Sequence, residues 1–117
     1  MKVKLLKFLL ASANEGDSVD LVVEGNNCVG QSVTFAIFED DNFVDELVGG
    51  ADDNVFVNPA PTVFDTSGVA RATWSAAEWQ DDGVLGLGGD PEYYFRASVN
   101  GTVNRSTNLL GVVLTQR

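Results

Sequence analysis

The chain has 117 residues, 44% of them hydrophobic and 21% charged, which is typical of one globular domain over 1–117, and no apolar run approaches the ~18 residues of a membrane-spanning helix. Seventeen acidic residues against seven basic ones give a formal charge of −10, which opposes binding to nucleic acid and to anionic membranes. Histidine, the commonest general base, is absent, and we therefore expect no enzyme. Cys28 is the only cysteine, so the chain can form no intramolecular disulfide.

The first predicted element is a basic and apolar segment at the N-terminus. Residues 1–13 resemble a signal peptide, with a basic start, an apolar middle and a small-x-small end. Lys7 interrupts the apolar run, so we interpret the segment as an ordered strand over 3–10. An amphipathic helix is the alternative, although a helix of about eight to ten residues is marginal.

The apolar residues of this strand change phase partway along it. Val3 and Leu5 share one face of the predicted strand. Leu6, Phe8 and Leu10 share the other face. The pattern therefore predicts a β-bulge or a switch between sheets at the Leu5–Leu6 step.

Several further segments alternate apolar and polar residues with the period of two that is typical of a half-buried strand. They are residues 18–24, 31–39, 69–75, 93–99 and, as the last strand, about 109–115. Trp74 and Phe95 fall on inward-facing positions and are predicted core residues. The dipeptide Asn100-Gly101 predicts a tight hairpin turn.

The segments between these strands are rich in turn-forming residues. An acidic turn at 39–42 leads to a possible edge strand at 43–48. Prolines limit 51–62 to a loop with at most a short strand at 55–57, and glycines predict a loop at 81–89. With about seven strands and no convincing long helix, the predicted fold is all-β, an antiparallel β-sandwich.

Four stretches resemble the immunoglobulin-like repeat domains of prokaryotic (archaeal and bacterial) cell-surface and secreted proteins. They are residues 14–25, with the pattern Gly-Asp-x-Val-x-Leu-x-Val, then 31–41, 68–74 and 91–101. The resemblance covers about half of the chain in the expected order, and it implies an immunoglobulin-like sandwich of about seven strands. It also implies a structural role such as spacer, stalk, adhesin or filament subunit.

Acidic residues cluster at 39–41, 52–53 and 81–82 and suggest calcium as a possible cofactor. Calcium takes about six to eight oxygen ligands, and loops at one end of a sandwich can bring carboxylates together. The spacing matches no EF-hand, and solvated turn carboxylates are the alternative. The candidate ligands are Glu39, Asp40, Asp41, Asp81 and Asp82.

Other side chains suggest carbohydrate binding, glycosylation or subunit contacts. Tyr94 and Trp79 are the predicted exposed aromatic residues that could pack on sugar rings. Asn100 and Asn104 each begin a glycosylation sequon, which favours an exported protein. Cys28 is interpreted as a small buried residue, with a disulfide between subunits as the alternative.

The predicted function is that of a non-catalytic, self-associating subunit of an extracellular filament or cell-surface assembly. An ordered N-terminus suggests that something holds it, and a strand at 1–12 could complete the sheet of a neighbouring subunit. The predicted self-association residues are Val3, Leu5, Leu6, Phe8 and Leu10. The partners would be further copies or other surface proteins. The alternatives are a calcium- or carbohydrate-binding accessory module and a decoration domain of a phage tail or secretion spike.

Overall fold

A computed structural model describes residues 2–14, 16–40, 53–55, 58–75 and 92–113, which form strands and turns without a helix. The strands are β1 (Lys2–Phe8), β2 (Ser12–Asn14), β3 (Ser18–Asn26), β4 (Ser32–Glu39), β5 (Asp53–Asn54), β6 (Thr62–Val63), β7 (Val69–Ser75), β8 (Glu92–Val99), β9 (Thr102–Arg105) and β10 (Leu110–Val113). The predicted all-β class is confirmed.

The strands form two sheets with one hydrophobic core between them. One sheet has three strands in the order β1-β3-β7. The other has seven, in the order β2-β10-β8-β4-β5, with β6 added on β4 and β9 on β8. All pairs are antiparallel except β2 with β10, which are parallel. The predicted sandwich character is therefore confirmed.

The phase change in the first strand is a bulge. Val3 pairs with Gly25 and Leu5 pairs with Glu24, so Lys4 is an extra residue in β1. The extra residue lets Val3, before the bulge, and Phe8, after it, pack against the same core. The helix alternative is therefore wrong.

The first predicted strand also splits between the two sheets. β1 ends at Phe8, the chain turns through Leu9 to Ala11, and β2 then pairs with β10 in the other sheet. The predicted strand over 3–10 is thus two residues too long at its end. A bulge and a switch between sheets are both present, but neither is at the predicted Leu5–Leu6 step. The bulge lies between Val3 and Leu5, and the switch comes after Phe8.

Aromatic rings join the two sheets across the core. Phe8 of β1 meets Phe95 of β8 edge to face, with ring centroids 5.1 Å apart. Trp74 of β7 meets Tyr93 of β8 at the same separation. All four are at most 1% exposed, and burying one such side chain contributes on the order of 2–3 kcal/mol. The prediction that Trp74 and Phe95 are core residues is confirmed.

The C-terminal part of the chain contains a hairpin and an interrupted strand. Asn100 and Gly101 have φ angles of 52° and 85°, the left-handed values that a two-residue type I′ turn requires, so the predicted hairpin is confirmed. β9 and β10 lie along different parts of the same edge of β8. The segment 106–109 between them leaves that edge and contacts β1.

Some predicted elements fall outside the described residues. These are the edge strand at 43–48, the loop at 81–89 and the end of the last strand beyond 113. Residues 56 and 57 of the short strand predicted at 55–57 also lie outside the described residues, and Val55 lies just after β5.

Candidate interaction surfaces

The outer edge of β1 is covered by side chains and backbone of the segment between β9 and β10. The Asn108 carboxamide accepts a hydrogen bond from the Phe8 N–H at 3.0 Å and donates one to the Phe8 carbonyl at 3.1 Å. Thr107 donates to the Leu6 carbonyl from both its N–H, at 2.8 Å, and its hydroxyl, at 3.0 Å. These contacts satisfy the groups that a neighbouring strand would otherwise pair with, so this part of the edge is closed within the chain.

A buried serine holds this cap in place. The Ser106 hydroxyl accepts a hydrogen bond from the Phe95 N–H and donates one to the Asn108 carbonyl, both at 3.1 Å. The Ser106 N–H also donates to the Phe95 carbonyl at 2.7 Å. The cap on β1 is thereby tied to the central strand β8.

The predicted self-association residues do not share one surface. Leu6 and Phe8 are buried in the chain's own core, and Val3 and Leu5 are half-buried. Only Leu10 projects into solvent, with 57% of its surface exposed. β1 pairs with β3 of its own chain, so strand exchange between subunits stays a prediction.

An apolar corner, Leu9–Leu10, lies where the chain passes from one sheet to the other. Leu9 is 46% exposed, although its N–H donates to the Asp20 carbonyl at 2.9 Å and so fixes the backbone. The other large exposed apolar residues of the described chain are the valines Val29, Val63 and Val103. Beside the corner, β1 carries three of the seven basic residues, Lys2, Lys4 and Lys7.

The predicted calcium ligands lie only partly within the described residues. Glu39 ends β4 and Asp40 follows it, whereas Asp41, Asp81 and Asp82 lie outside the described residues. The Asp40 carboxylate is 3.9 Å from the Arg105 guanidinium. Across the described ranges no three metal-ligating side chains come together. Calcium binding therefore stays a prediction.

The outer face of the seven-stranded sheet carries stacked rings and two arginines. Phe38 and Tyr94 are stacked, with centroids 5.5 Å apart and an interplanar angle of 17°. The Arg96 guanidinium lies 4.9 Å from the centre of the Phe38 ring, and that of Arg105 lies 3.7 Å from the centre of the Tyr94 ring. We call Arg96 and Arg105 the arginine pair.

One of the two predicted sugar-binding aromatic residues is not exposed. Tyr94 faces outward, as its position in the alternation requires, but it is only 2% exposed. The prediction was wrong because the Arg105 guanidinium lies over the ring and Phe38 stacks beside it. Trp79 lies outside the described residues.

The two sequons differ in accessibility. Asn100 is exposed at the hairpin turn, whereas Asn104 is half-buried on β9. The sequon of Asn104 uses Ser106, whose hydroxyl is already engaged in the cap. Glycosylation at either site stays a prediction.

Cys28 is a core residue. Its exposed fraction is 0%, and its thiol lies 3.2 Å from the Asn26 carbonyl, to which it donates. The interpretation as a small buried residue is confirmed, and the folded chain presents no thiol at its surface for a disulfide between subunits.

Sequence reasoning missed the cap and the arginine pair. Asn108 carries no motif, and its contacts with Phe8 span 100 residues of sequence. The alternation of β8 does place Arg96 on the outer face beside Tyr94, which is the signal that could have indicated the arginine pair. Arg105 joins it only through the pairing of β9 with β8.

Comparison with known proteins shows similarity of fold alone. No family model and no curated protein matches the chain. The chain resembles part of the Pseudomonas fluorescens alkylpurine DNA glycosylase AlkC bound to DNA with an abasic site analog, with a TM-score of 0.50 and 13% identity, over 96% of this chain but 30% of that one. A second match is a chain from a structural study of T cell specificity and activation by the bacterial superantigen toxic shock syndrome toxin-1. Its TM-score is 0.45 and its identity 7%, over 95% of this chain and 98% of that one.

The geometry of the described residues defines a class of fold: an all-β sandwich of two sheets. The chain spans less than a third of the glycosylase chain that it resembles. In the part of the chain that the structure describes, no helix is both long and apolar enough to cross a membrane.

Proposed function

We propose that the chain is a non-catalytic, immunoglobulin-like structural module of an extracellular or cell-surface assembly. The sheet order supports the immunoglobulin-like assignment. β1 and β2 together count as the first strand, and β9 and β10 together count as the last. One sheet then contains the first strand, the second (β3) and a later one (β7), and the other sheet contains the third strand (β4) with the last two (β8 and β9–β10). β6 departs from this scheme because it pairs with β4.

The module is proposed to associate with further copies of itself through the apolar corner. The observation that carries this proposal is the adjacent exposure of Leu9 and Leu10 on a backbone that is held by a hydrogen bond. Exposed apolar side chains that are neighbours, unlike scattered single ones, mark interaction surfaces. A rigid backbone also reduces the conformational entropy lost on association.

The charge distribution supports a second copy as the partner. Lys2, Lys4 and Lys7 form a basic strip on β1 in a chain whose formal charge is −10. The rest of the chain has 17 acidic residues against four basic ones, and opposite charges steer encounters between two proteins. Contact between a basic strip and a different, acidic surface is heterologous, and such contacts build filaments when they do not close into a ring.

The test compares two double variants that remove equal numbers of exposed apolar residues. Leu9→Ser with Leu10→Ser removes the corner, and Val29→Ser with Val63→Ser is the control, since each of those valines is 55% exposed elsewhere. We expect the wild type and the control to associate in sedimentation velocity and light scattering and to form particles in electron micrographs. The corner variant should remain monomeric.

Salt adds an independent readout of the charge contribution. Association that depends on the lysine strip should weaken between about 0.05 M and 0.5 M NaCl, because the Debye length then falls from roughly 14 Å to 4 Å. A wild-type protein that is monomeric at about 100 μM would refute the proposed self-association. So would an equal loss of association in the corner variant and the valine control.

A further inference from the structure

We propose that Arg96 and Arg105 form a binding site for the carboxylates of an acidic segment of a partner protein. The site lies on the outer face of the seven-stranded sheet, whereas the apolar corner lies at the crossover between the sheets. It uses neither Leu9 nor Leu10 and does not depend on the proposed self-association.

The register of β8 and β9 brings two positive charges together. Arg96 and Arg105 are direct cross-strand partners, and like charges in directly opposite positions destabilise a sheet. Among the described residues this group has one ion pair, between Arg105 and Asp40 at 3.9 Å. Arg96 contacts rings and has no carboxylate partner in that part of the chain. Among the described residues, two guanidinium groups therefore share the single nearby carboxylate of Asp40, and Glu92 is the other acidic residue on this side of β8.

The aromatic rings position the guanidinium groups for a ligand. Arg96 lies over Phe38 and near Tyr94, at 4.9 Å and 5.9 Å from the ring centres. A ring attracts a cation at its face, and the planar guanidinium still has N–H groups at its edge that can donate to a carboxylate in pairs. Because contact with the rings restricts the side chains before a ligand arrives, less conformational entropy is lost on binding.

The surroundings of the pair favour a peptide over other anions. Val103 lies two residues before Arg105 on the same face of β9, roughly 7 Å away along the strand, and is 57% exposed. Ser98 pairs with Val103 on one side and with Thr34 on the other, and both Ser98 and Thr34 are uncharged. An acidic protein segment can supply both a carboxylate and an apolar contact, as arginine-rich and aromatic-rich interfaces require. The formal charge of −10 opposes nucleic acids and anionic lipids, which carry extended negative charge.

The test uses a labelled peptide and charge-matched variants of the full chain. The probe is a fluorescein-labelled peptide of about ten residues that contains glutamate and leucine in a serine background. In the control peptide, each glutamate is replaced with glutamine. Fluorescence anisotropy measures binding to the wild type, Arg96→Gln, Arg105→Gln and Arg71→Gln. Arg71 is the control because it is an exposed arginine on the other sheet, paired with Asp20 at 3.8 Å.

We expect the glutamate peptide to bind the wild type and the glutamine peptide to bind much more weakly. Arg96→Gln should weaken binding by about tenfold or more, since a paired guanidinium–carboxylate contact is lost, and Arg71→Gln by less than about twofold. Phe38→Leu keeps both charges but removes a ring, and a smaller loss of affinity is expected. Circular dichroism melts confirm that each variant is folded.

Four results would overturn the proposal. The first is no binding of the glutamate peptide at about 1 mM, and the second is binding of the glutamine peptide as tight as that of the glutamate peptide. The third is a loss of affinity in Arg71→Gln equal to that in Arg96→Gln. The fourth is displacement of the peptide by sodium sulfate beyond that caused by sodium chloride of equal ionic strength. The last would indicate a simple anion site. The arginine variants leave the apolar corner intact, so their effects are separable from a failure of self-association.

Discussion

Asn108 is predicted to contribute strongly to stability because its carboxamide replaces a neighbouring strand at the edge of β1. The substitution Asn108→Ala removes two hydrogen bonds, to the N–H and to the carbonyl of Phe8, at 3.0 Å and 3.1 Å. Phe8 is 0% exposed, so water has limited access to the backbone groups that lose their partners. A net loss of about 1 kcal/mol for each bond, and more if a group stays unsatisfied, gives an expected destabilisation of roughly 2–3 kcal/mol.

The assay is urea denaturation followed by the fluorescence of the tryptophans, of which Trp74 is buried in the core. The matched control is Asn104→Ala, the same substitution at a half-buried position on β9, with an expected effect below about 0.5 kcal/mol. Asn108→Asp retains an oxygen that can accept from the Phe8 N–H but places a negative charge beside the Phe8 carbonyl. We therefore expect Asn108→Asp to destabilise as well.

A second readout follows from the exposed edge. Removing the carboxamide leaves the edge of β1 at Phe8 without its partner, and an unpaired edge is a template for pairing with another chain. Asn108→Ala should therefore associate or aggregate more readily than Asn104→Ala in light scattering. Equal unfolding free energies for the two variants, within about 0.5 kcal/mol, would refute the role assigned to the carboxamide.

Two further predictions concern the packing of Gly25 against Cys28 and the burial of the Cys28 thiol. A Cβ atom at Gly25 would lie 2.6 Å from the Cys28 sulfur and 2.9 Å from the Lys2 carbonyl, so Gly25→Ala should lower the free energy of unfolding by about 1–3 kcal/mol. Cys28→Ala in the same chain should recover part of that loss, and strictly additive effects in chemical denaturation would contradict the predicted clash. The Cys28 thiol is 0% exposed, so it should react with a thiol reagent only at the rate of unfolding or local opening, and rapid stoichiometric labelling of the native protein would contradict its burial.

The strands that face the core could be predicted because alternate burial leaves a period of two in the residues. Val33, Phe35 and Ile37 of β4 are all buried, as their alternation predicted. The bulge in β1 was equally visible, since an extra residue necessarily reverses the phase of the apolar positions. The Asn100-Gly101 turn was predictable because few dipeptides adopt left-handed φ angles at two successive residues.

The candidate sites were less predictable because they depend on which strands become neighbours. Tyr94 occupies an outward position, and only the pairing of β9 with β8 brings Arg105 over its ring. Leu6 and Phe8 were predicted to contact another subunit, and the order of the sheets instead places them in the core of their own chain. The alternation of a strand shows that one of its faces is buried without showing which partner buries it.

The amino-acid sequence by itself determined the all-β class, the inward faces of the main strands, the bulge and the hairpin, because each follows from local geometry or from the two-residue period. Only the tertiary structure decided that Asn108 closes the edge of β1, that Leu9 and Leu10 remain exposed and that Arg96 meets Arg105. Those contacts join residues that are distant in sequence or depend on how much surface the packed sheets cover. Their energies arise only after both sheets are in place, so no local pattern of residues encodes them.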